Sequence, residues 1–406
     1  MAHTVPPKYV RQILVTLQSH GHQAFLVGGS VRDMLLGKFP LDWDISTSAL
    51  PSQVMEIFPG SEPTGIKHGT VTVKINSRWA EVTTFRSEGS YTDHRHPDMV
   101  SFVGDLTTDL SRRDFTMNAI AFSPDGLMAD PFNGCGDIEK KLIRAVGLPQ
   151  LRFQEDALRM FRAVRFSARL GFQIEEETLE AIKLKAPLAK DIAAERVRYE
   201  IEKILQSNRP EEFFKLIEYG LMDSYLVNRP LSISDGGALS KLPRKRVLYR
   251  WTCLCTILEH FGCIQSVEDF LTALKMDKRR IRSCRDAAYI LSEPIPEDSF
   301  QWKKLLNKFG VEAVTIAAAL GDVLKQDQHY TKKLKAVLKS GECFSLKHLA
   351  VSGDDLIAIG LSGRELGEML LFLLDYVMEF PQFNQRDILL SLAKGPEEYK
   401  WTAGKD

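Results

Sequence analysis

The chain has 406 residues, enough for about two to four domains with sizeable cores. Its 53 basic and 53 acidic residues cancel to a formal charge of zero, and 44% hydrophobic with 26% charged residues is ordinary for a soluble globular protein. That balance excludes a globally basic nucleic-acid binder; a nucleic-acid partner would need a local basic face.

Met1 to Val10 carries prolines and charges but no apolar run, so no leader is expected. Ala24 to Val27 reads as a strand end leading into Gly28-Gly29-Ser30-Val31-Arg32-Asp33, and Val31 to Leu36 as a helix start. Glycines there let a backbone approach a phosphate, and the helix N-terminus points N–H groups at it. Asp42 and Asp44 follow, separated by Trp43 on Leu41-Asp42-Trp43-Asp44-Ile45. Period-two geometry on a strand predicts both carboxylates on one face. They repel unless a cation neutralises them, and hard oxygen ligands suit Mg²⁺ with substrate phosphates. A lone Asp-x-Asp or a lone Gly-Gly is usually a solvated edge or a plain turn. Together they point to the metal-assisted handling of a nucleoside triphosphate.

Val71 to Ile75 and Glu81 to Phe85 are β-branched and predict strands. Glu81, on the second, is a candidate third carboxylate. Residues 87–98 predict a polar loop bearing glycine and proline. Ile120 to Phe122, Pro124-Asp125-Gly126 and Leu127 to Ala129 predict strand, turn and strand. Between them, Arg113 of Arg112-Arg113-Asp114-Phe115-Thr116-Met117-Asn118 could clamp a triphosphate, and Asn118 could bond sugar or phosphate. Alone, this segment reads as a helix start with a surface arginine pair.

Beyond about residue 140 strand signals nearly vanish, and 153–170, 175–186 and 191–207 predict amphipathic helices. On the first, Phe161, Val164 and Ala168 should pack inward, while Arg159, Arg162, Arg165 and Arg169 share another face. Four arginines at that spacing repel, so an anion belongs nearby. Basic clusters recur at Arg244 to Arg250 and Lys278 to Arg285. The six cysteines lack metal-ligand spacing and predict reduced packing residues in a cytoplasmic protein. Met369 to Leu374, the longest apolar stretch, is far too short for a membrane span, so no membrane partner is expected. Nothing here sets an oligomeric state.

From Gly28 through Asp44 the chain resembles the polymerase beta-like nucleotidyltransferase superfamily, and specifically the class II tRNA nucleotidyltransferases and bacterial poly(A) polymerases. The Arg112 to Ala119 octet, Asp130 to Asp137, Glu155-Asp156-Ala157-Leu158-Arg159 and Glu195 to Glu200 resemble further motifs of that family. The resemblance implies an α+β fold: a mixed-sheet head (1–140) followed by an elongated all-α neck (141–207), body (208–315) and tail (316–406). It implies that Asp42, Asp44 and Glu81 are catalytic, with Mg²⁺ on the two aspartates. Gly28, Gly29, Arg32, Arg113 and Asn118 would handle the nucleotide. Asp156 and Arg159 would select the base, supported by Arg162 and Arg165, with 195–200 buttressing them and 130–137 acting as a hinge.

Asp156 can only accept and Arg159 only donate hydrogen bonds, a pattern that fits the edges of cytosine and adenine and rejects uracil and guanine. Lys67-His68-Gly69-Thr70-Val71 and an uninterrupted 87–98 loop favour the branch that adds C, C and A to tRNA from CTP and ATP. The partners implied are tRNA, at its acceptor end and elbow, and those two nucleotides. The alternatives are an enzyme adding only the terminal A, a poly(A) polymerase, or an RNA-binding protein with an inactive head.

Overall fold

The computed structural model describes residues 5–89, 99–229, 236–294, 296–325 and 329–395. It divides into two compact units, Met1–Arg229 and Pro230–Asp406.

The first unit is built on a mixed sheet. Its strands are β1 (Ala24–Val27), β2 (Asp44–Thr47), β3 (Glu62–Gly65), β4 (Thr70–Ile75), β5 (Arg78–Thr84), β8 (Ala121–Phe122) and β9 (Met128–Ala129), in the order β3-β4-β5-β2-β1-β8-β9. Only β2 and β5 pair in parallel; the other neighbours are antiparallel. Two short strands, β6 (Arg86–Glu88) and β7 (Val100–Phe102), form a separate ribbon, and β10 (Leu142–Ile143) pairs with β11 (Gln173–Ile174). Helices α1 (Lys8–Ser19), α2 (Gly29–Leu35), α3 (Pro51–Ile57), α4 (Leu106–Ser111) and α5 (Gly134–Glu139) accompany the sheet. The alternation that predicted strands is visible as burial: Val71, Val73, Ala80 and Val82 face the core.

Helices α6 (Pro149–Glu155), α7 (Leu158–Leu170), α8 (Glu176–Lys185), α9 (Ala194–Leu205) and α10 (Phe213–Glu218) complete this unit. Phe161, Val164 and Ala168 are buried as expected. The single helix expected over 153–170 is two. Asp156 is extended (φ −137°, ψ 101°), and its Oδ1 accepts from Leu158 N at 3.1 Å. A short carboxylate that bonds a backbone N–H two residues on competes with the helix, and here it ends one and starts the next. The 130–137 segment is a docked helix start: a Cβ on Gly134 would lie 2.2 Å from the Thr116 carbonyl oxygen, so only glycine fits.

The second unit is helical: α11 (Gly237–Lys241), α12 (Val247–His260), α13 (Val267–Ala273), α14 (Lys278–Ser292), α15 (Ser299–Leu324), α16 (Tyr330–Ser340), α17 (Gly353–Ile357), α18 (Gly363–Glu379) and α19 (Arg386–Lys394). The boundary drawn at 315/316 falls inside α15. That run is instead broken at Gly310, whose φ of +78° only glycine adopts readily. The described cysteines are all free and, apart from Cys135, buried. No described helix is long and apolar enough to cross a membrane.

Candidate active site: three carboxylates beside an arginine-lined cavity

Gly28 ends β1 with φ +71° and opens α2. A Cβ there would lie 2.8 Å from Arg113 Nη1 and 3.3 Å from Asp44 Oδ2, so the glycine is what lets a guanidinium and a carboxylate close on the turn. Asp44 begins β2, paired with Val27 on one side and Glu81 on the other. The expectation that Leu41–Ile45 is one strand is corrected: Asp42 sits in a bend before it. Pairing on the β1 side stops at Val27, because Gly28 turns away, and Trp43 is buried edge-on against Phe39. Asp42 is thus exposed and Asp44 half-buried, while Glu81 is exposed directly beside Asp44.

Two of these acids, Asp44 and Glu81, are shifted upward. Burial lifts the Asp44 carboxyl above its usual range, with Arg113 opposing and Asp42 adding. Burial, Asp44 and Asp42 all lift Glu81. Ionising the set is therefore costly without a cation, and its all-oxygen donors suit a hard divalent ion that keeps water and phosphate ligands. Among the described residues no group of three His, Cys, Asp or Glu side chains is close enough to hold a metal alone. The fit is to a metal shared with substrate.

Asp44 also touches a cavity of about 610 Å³ lined by nine arginines (32, 86, 112, 113, 159, 162, 165, 169 and 196) and three aspartates (44, 114 and 156). Of the twelve expected site residues, ten line it: Gly28, Gly29, Arg32, Asp44, Arg113, Asn118, Asp156, Arg159, Arg162 and Arg165. Asp42 and Glu81 do not line it.

The anions expected near the arginine face turn out to be protein carboxylates. Arg159 donates to Glu155 Oε2 at 2.6 Å and to the Arg152 and Arg112 carbonyl oxygens. Arg162 holds Asp114 Oδ2 through Nε (2.8 Å) and Nη2 (2.5 Å). Arg165 Nε donates to Glu200 Oε2 at 2.5 Å, and Arg169 reaches Asp33 Oδ2 at 3.3 Å. Arg32 is buried, forked onto Asp33 Oδ1, and donates to Asn118 Oδ1 at 2.7 Å. Arg196 Nη2 donates to Asp156 Oδ2 at 2.9 Å, so the helix that carries 195–200 bonds directly to this acid. The Phe166 ring lies under Arg32, Arg162 and Arg165, at 5.2, 5.5 and 4.2 Å.

Two buried acids had no expected role. Asp114 accepts from Arg162, Asn118 Nδ2 and Phe115 N. Burial would raise its carboxyl, but Arg162 and the Asn118 bond hold it well below the usual range. Asp109 accepts from Ser46, Arg86 N, Arg112 and Arg113; against burial, the two guanidinium groups hold it low as well. Arg113 Nε is buried without a partner. For Asp109 the signal is local, since its partners Arg112 and Arg113 lie three and four residues on, whereas the partner of Asp114 is the distant Arg162. Residues 90–98 of the polar loop lie outside the described residues.

A Gly-Gly turn and acidic strand at the mouth of an arginine-lined cavity, on this mixed sheet, define a nucleotidyltransferase head. Family models agree: a "Poly A polymerase head domain" matches residues 24–144, a "Probable RNA and SrmB- binding site of polymerase A" 171–226, and a "tRNA nucleotidyltransferase domain 2 putative" 248–393. A CCA-adding enzyme of Geobacillus sp. is 43% identical over 354 residues, 85% of each chain, and one of Enterococcus faecalis is 34% identical over 400 residues, 96% of this chain and 97% of that one. The Bacillus stearothermophilus CCA-adding enzyme in complex with CTP superposes with a TM-score of 0.81 at 32% identity, covering 96% of this chain and 98% of that one. The chain belongs to the family of CCA-adding enzymes, and it is an enzyme of the nucleotidyl-transfer type.

Proposed function

We propose that this protein adds C, C and A to the 3′ end of tRNA from CTP and ATP, without a nucleic-acid template, releasing pyrophosphate at each step. The observation that carries the reading is the single cavity that runs from the Gly28-Gly29 turn and Asp44 to Asp156 and Arg159. One nucleotide fits this polarity, with its triphosphate at the glycines and its base at the far pair.

In this reading Asp42 and Asp44 hold Mg²⁺, and Glu81 beside Asp44 keeps that edge acidic. Bound there, Mg²⁺ would lower the pKa of the attacking 3′-hydroxyl and neutralise the departing pyrophosphate. The Gly29 backbone, Arg32 and Arg113 take the triphosphate; the Arg113 Nε donor is buried and free for it. Arg162 and Arg165 add charge from positions fixed by Asp114 and Glu200. Asp156 receives the exocyclic amino group of cytosine or adenine, and Arg159 donates to the neighbouring ring acceptor. Arg196 and Glu155 hold this pair from behind, so the side chains stand in for a template base. The head, the neck and the first residues of the body (208–229) fall in the first unit and the rest of the body and the tail in the second, the helical second unit gripping tRNA by shape and phosphate contacts. Exposed Arg279 and Arg282 on α14 suit that role. Free buried cysteines support a reducing, cytoplasmic setting.

The test uses two tRNA transcripts, one lacking CCA and one ending in CC, incubated with Mg²⁺ and with CTP and ATP separately and together. Growth of both to a complete CCA end is expected. Extension of only the CC-ended transcript, by one A, would overturn the reading in favour of an A-adding enzyme.

A further inference from the structure

We infer that the exposed sheet face beside Glu81, carried by Trp79 and Lys74, is the platform on which the single-stranded 3′ end of the RNA substrate stacks. This rests on the functional reading above and deepens it.

The argument begins with the side of Asp44 that the nucleotide cavity leaves open. The cavity reaches Asp44 but neither Asp42 nor Glu81. In phosphoryl transfer the attacking and leaving oxygens lie roughly in line. In the proposed reading the pyrophosphate leaves toward the glycine turn and the arginines, which directs the hydroxyl to the side of Asp44 away from the cavity, and Glu81, which pairs with Asp44 and does not line the cavity, marks the neighbouring strand.

That side is a sheet surface. Asp44 pairs with Glu81, and Glu81 with Thr72, on one face. One row along, Trp79 pairs with Lys74 on the same face, about 7 Å from the Glu81 row. Ala80 and Val82, between them, face the core. The Trp79 ring is 44% exposed, and Lys74 Nζ sits 4.8 Å from its centroid. An indole left this open to solvent, on the same face as Glu81, is not a core residue. It offers a π-face that any base can stack on, and Lys74 offers a charge for the accompanying phosphate. Stacking without edge readout is what this substrate needs, because its terminal base changes with each addition. The bland alternative is a cross-strand Lys–Trp pair that only pins the β4–β5 register.

The experiment compares the full-length protein with Trp79→Ala, Trp79→Phe and Lys74→Ala, using a tRNA lacking CCA. Removing one stacking side chain typically costs about 5–100-fold in binding. Trp79→Ala should therefore raise the KM for tRNA by about that factor, with the KM for CTP unchanged. Trp79→Phe should restore most of it, and Lys74→Ala should give a smaller rise and a shallower salt dependence. An unchanged tRNA KM in Trp79→Ala, or equal rises for tRNA and CTP, overturns the platform. Should Trp79→Ala fail to fold, wild-type protein is irradiated with a transcript carrying thiouridine at its 3′ end. A crosslink within residues 70–84 supports the platform, and one confined to other segments overturns it. Complete CCA addition by wild-type protein in the same assay shows that the functional reading stands whatever the variants do.

Discussion

The two walls of this site treat charge in opposite ways. On the α7 wall each arginine is paired with a carboxylate: Glu155 (shared with Arg152) for Arg159, Asp114 for Arg162, Glu200 for Arg165 and Asp33 (shared with Arg32) for Arg169. On the strand wall Asp42, Asp44 and Glu81 form no salt bridge among the described residues, and burial with the neighbouring carboxylates raises Asp44 and Glu81. Burying a guanidinium is expensive unless it is paired, and pairing also fixes where it points. The cationic wall is thereby arranged before a triphosphate arrives, which is the condition for electrostatic catalysis. The acidic wall is complete only with a cation from solution. What the protein pairs internally it is positioning, and what it leaves unpaired it is reserving for ligand.

The hardest way to break this contrast is to remove the acidic wall. Asp44→Ala should reduce nucleotide addition by about a thousandfold or more, a loss as large as that of a principal electrostatic contact. Binding of tRNA to the variant, followed by filter retention, should persist. Substantial addition by Asp44→Ala would sink the assignment. On the cationic wall the matching cut is Asp114→Ala. It leaves Arg162, which is 35% exposed, without its partner and takes the acceptor from Asn118 and Phe115 N, so it should lower stability by about 1–3 kcal/mol, read from denaturant unfolding. If Asp114→Ala unfolds like wild type, the pairing is ornamental and the wall is not built in advance.

Sequence made the acidic wall and the list of arginines legible, because both follow short-range patterns: Gly-Gly before Asp-x-Asp, and Arg at three- and four-residue spacing. It did not reveal the pairing. Asp114 lies 48 residues from Arg162, Glu200 lies 35 from Arg165, and Asp33 lies 136 from Arg169. Such partners are set by how α7 packs on the head, which no local period encodes. The same limit explains the two local errors. The apolar period continues through Asp156 and predicts helix there, whereas its own carboxylate ends the helix. Alternation runs through Asp42 and predicts strand there, past the point where Gly28 removes the neighbour. Period reports which face is apolar, and hydrogen bonds decide where an element stops.

The break at Asp156 gives a third prediction. Arg196 lies on α9, and among the described residues its side chain makes one charge-assisted bond, to Asp156, the acid proposed to select the base. Arg196→Ala should leave the triphosphate contacts intact but free Asp156 to rotate. Discrimination of CTP against UTP, measured as the ratio of kcat/KM values, should fall by about tenfold, the equivalent of 1.4 kcal/mol. A fall in kcat/KM common to both nucleotides would mean that Arg196 serves overall packing and not base choice.

The smallest effect is also the sharpest test of reserved charge. The Asp44 carboxyl has a folded-state pKa above its unfolded value, chiefly because it is buried. The folded protein therefore holds its proton more tightly than the unfolded chain does. Stability contributed by the protonated form is present below the unfolded pKa and is lost as pH rises through the folded one. At neutral pH, without metal, Asp44 is then a net burden. Asp44→Asn keeps the shape and removes the charge, so in chelator at pH 7 it should melt a little above wild type, on the order of 1–3 °C. Lowering the pH toward 4 should shrink the gap, since wild type then takes up the proton itself. Adding Mg²⁺ should raise wild type and leave the variant behind. A variant that melts below wild type in chelator would mean that Arg113 already neutralises Asp44, and that the acidic wall is as internally paired as the arginine wall.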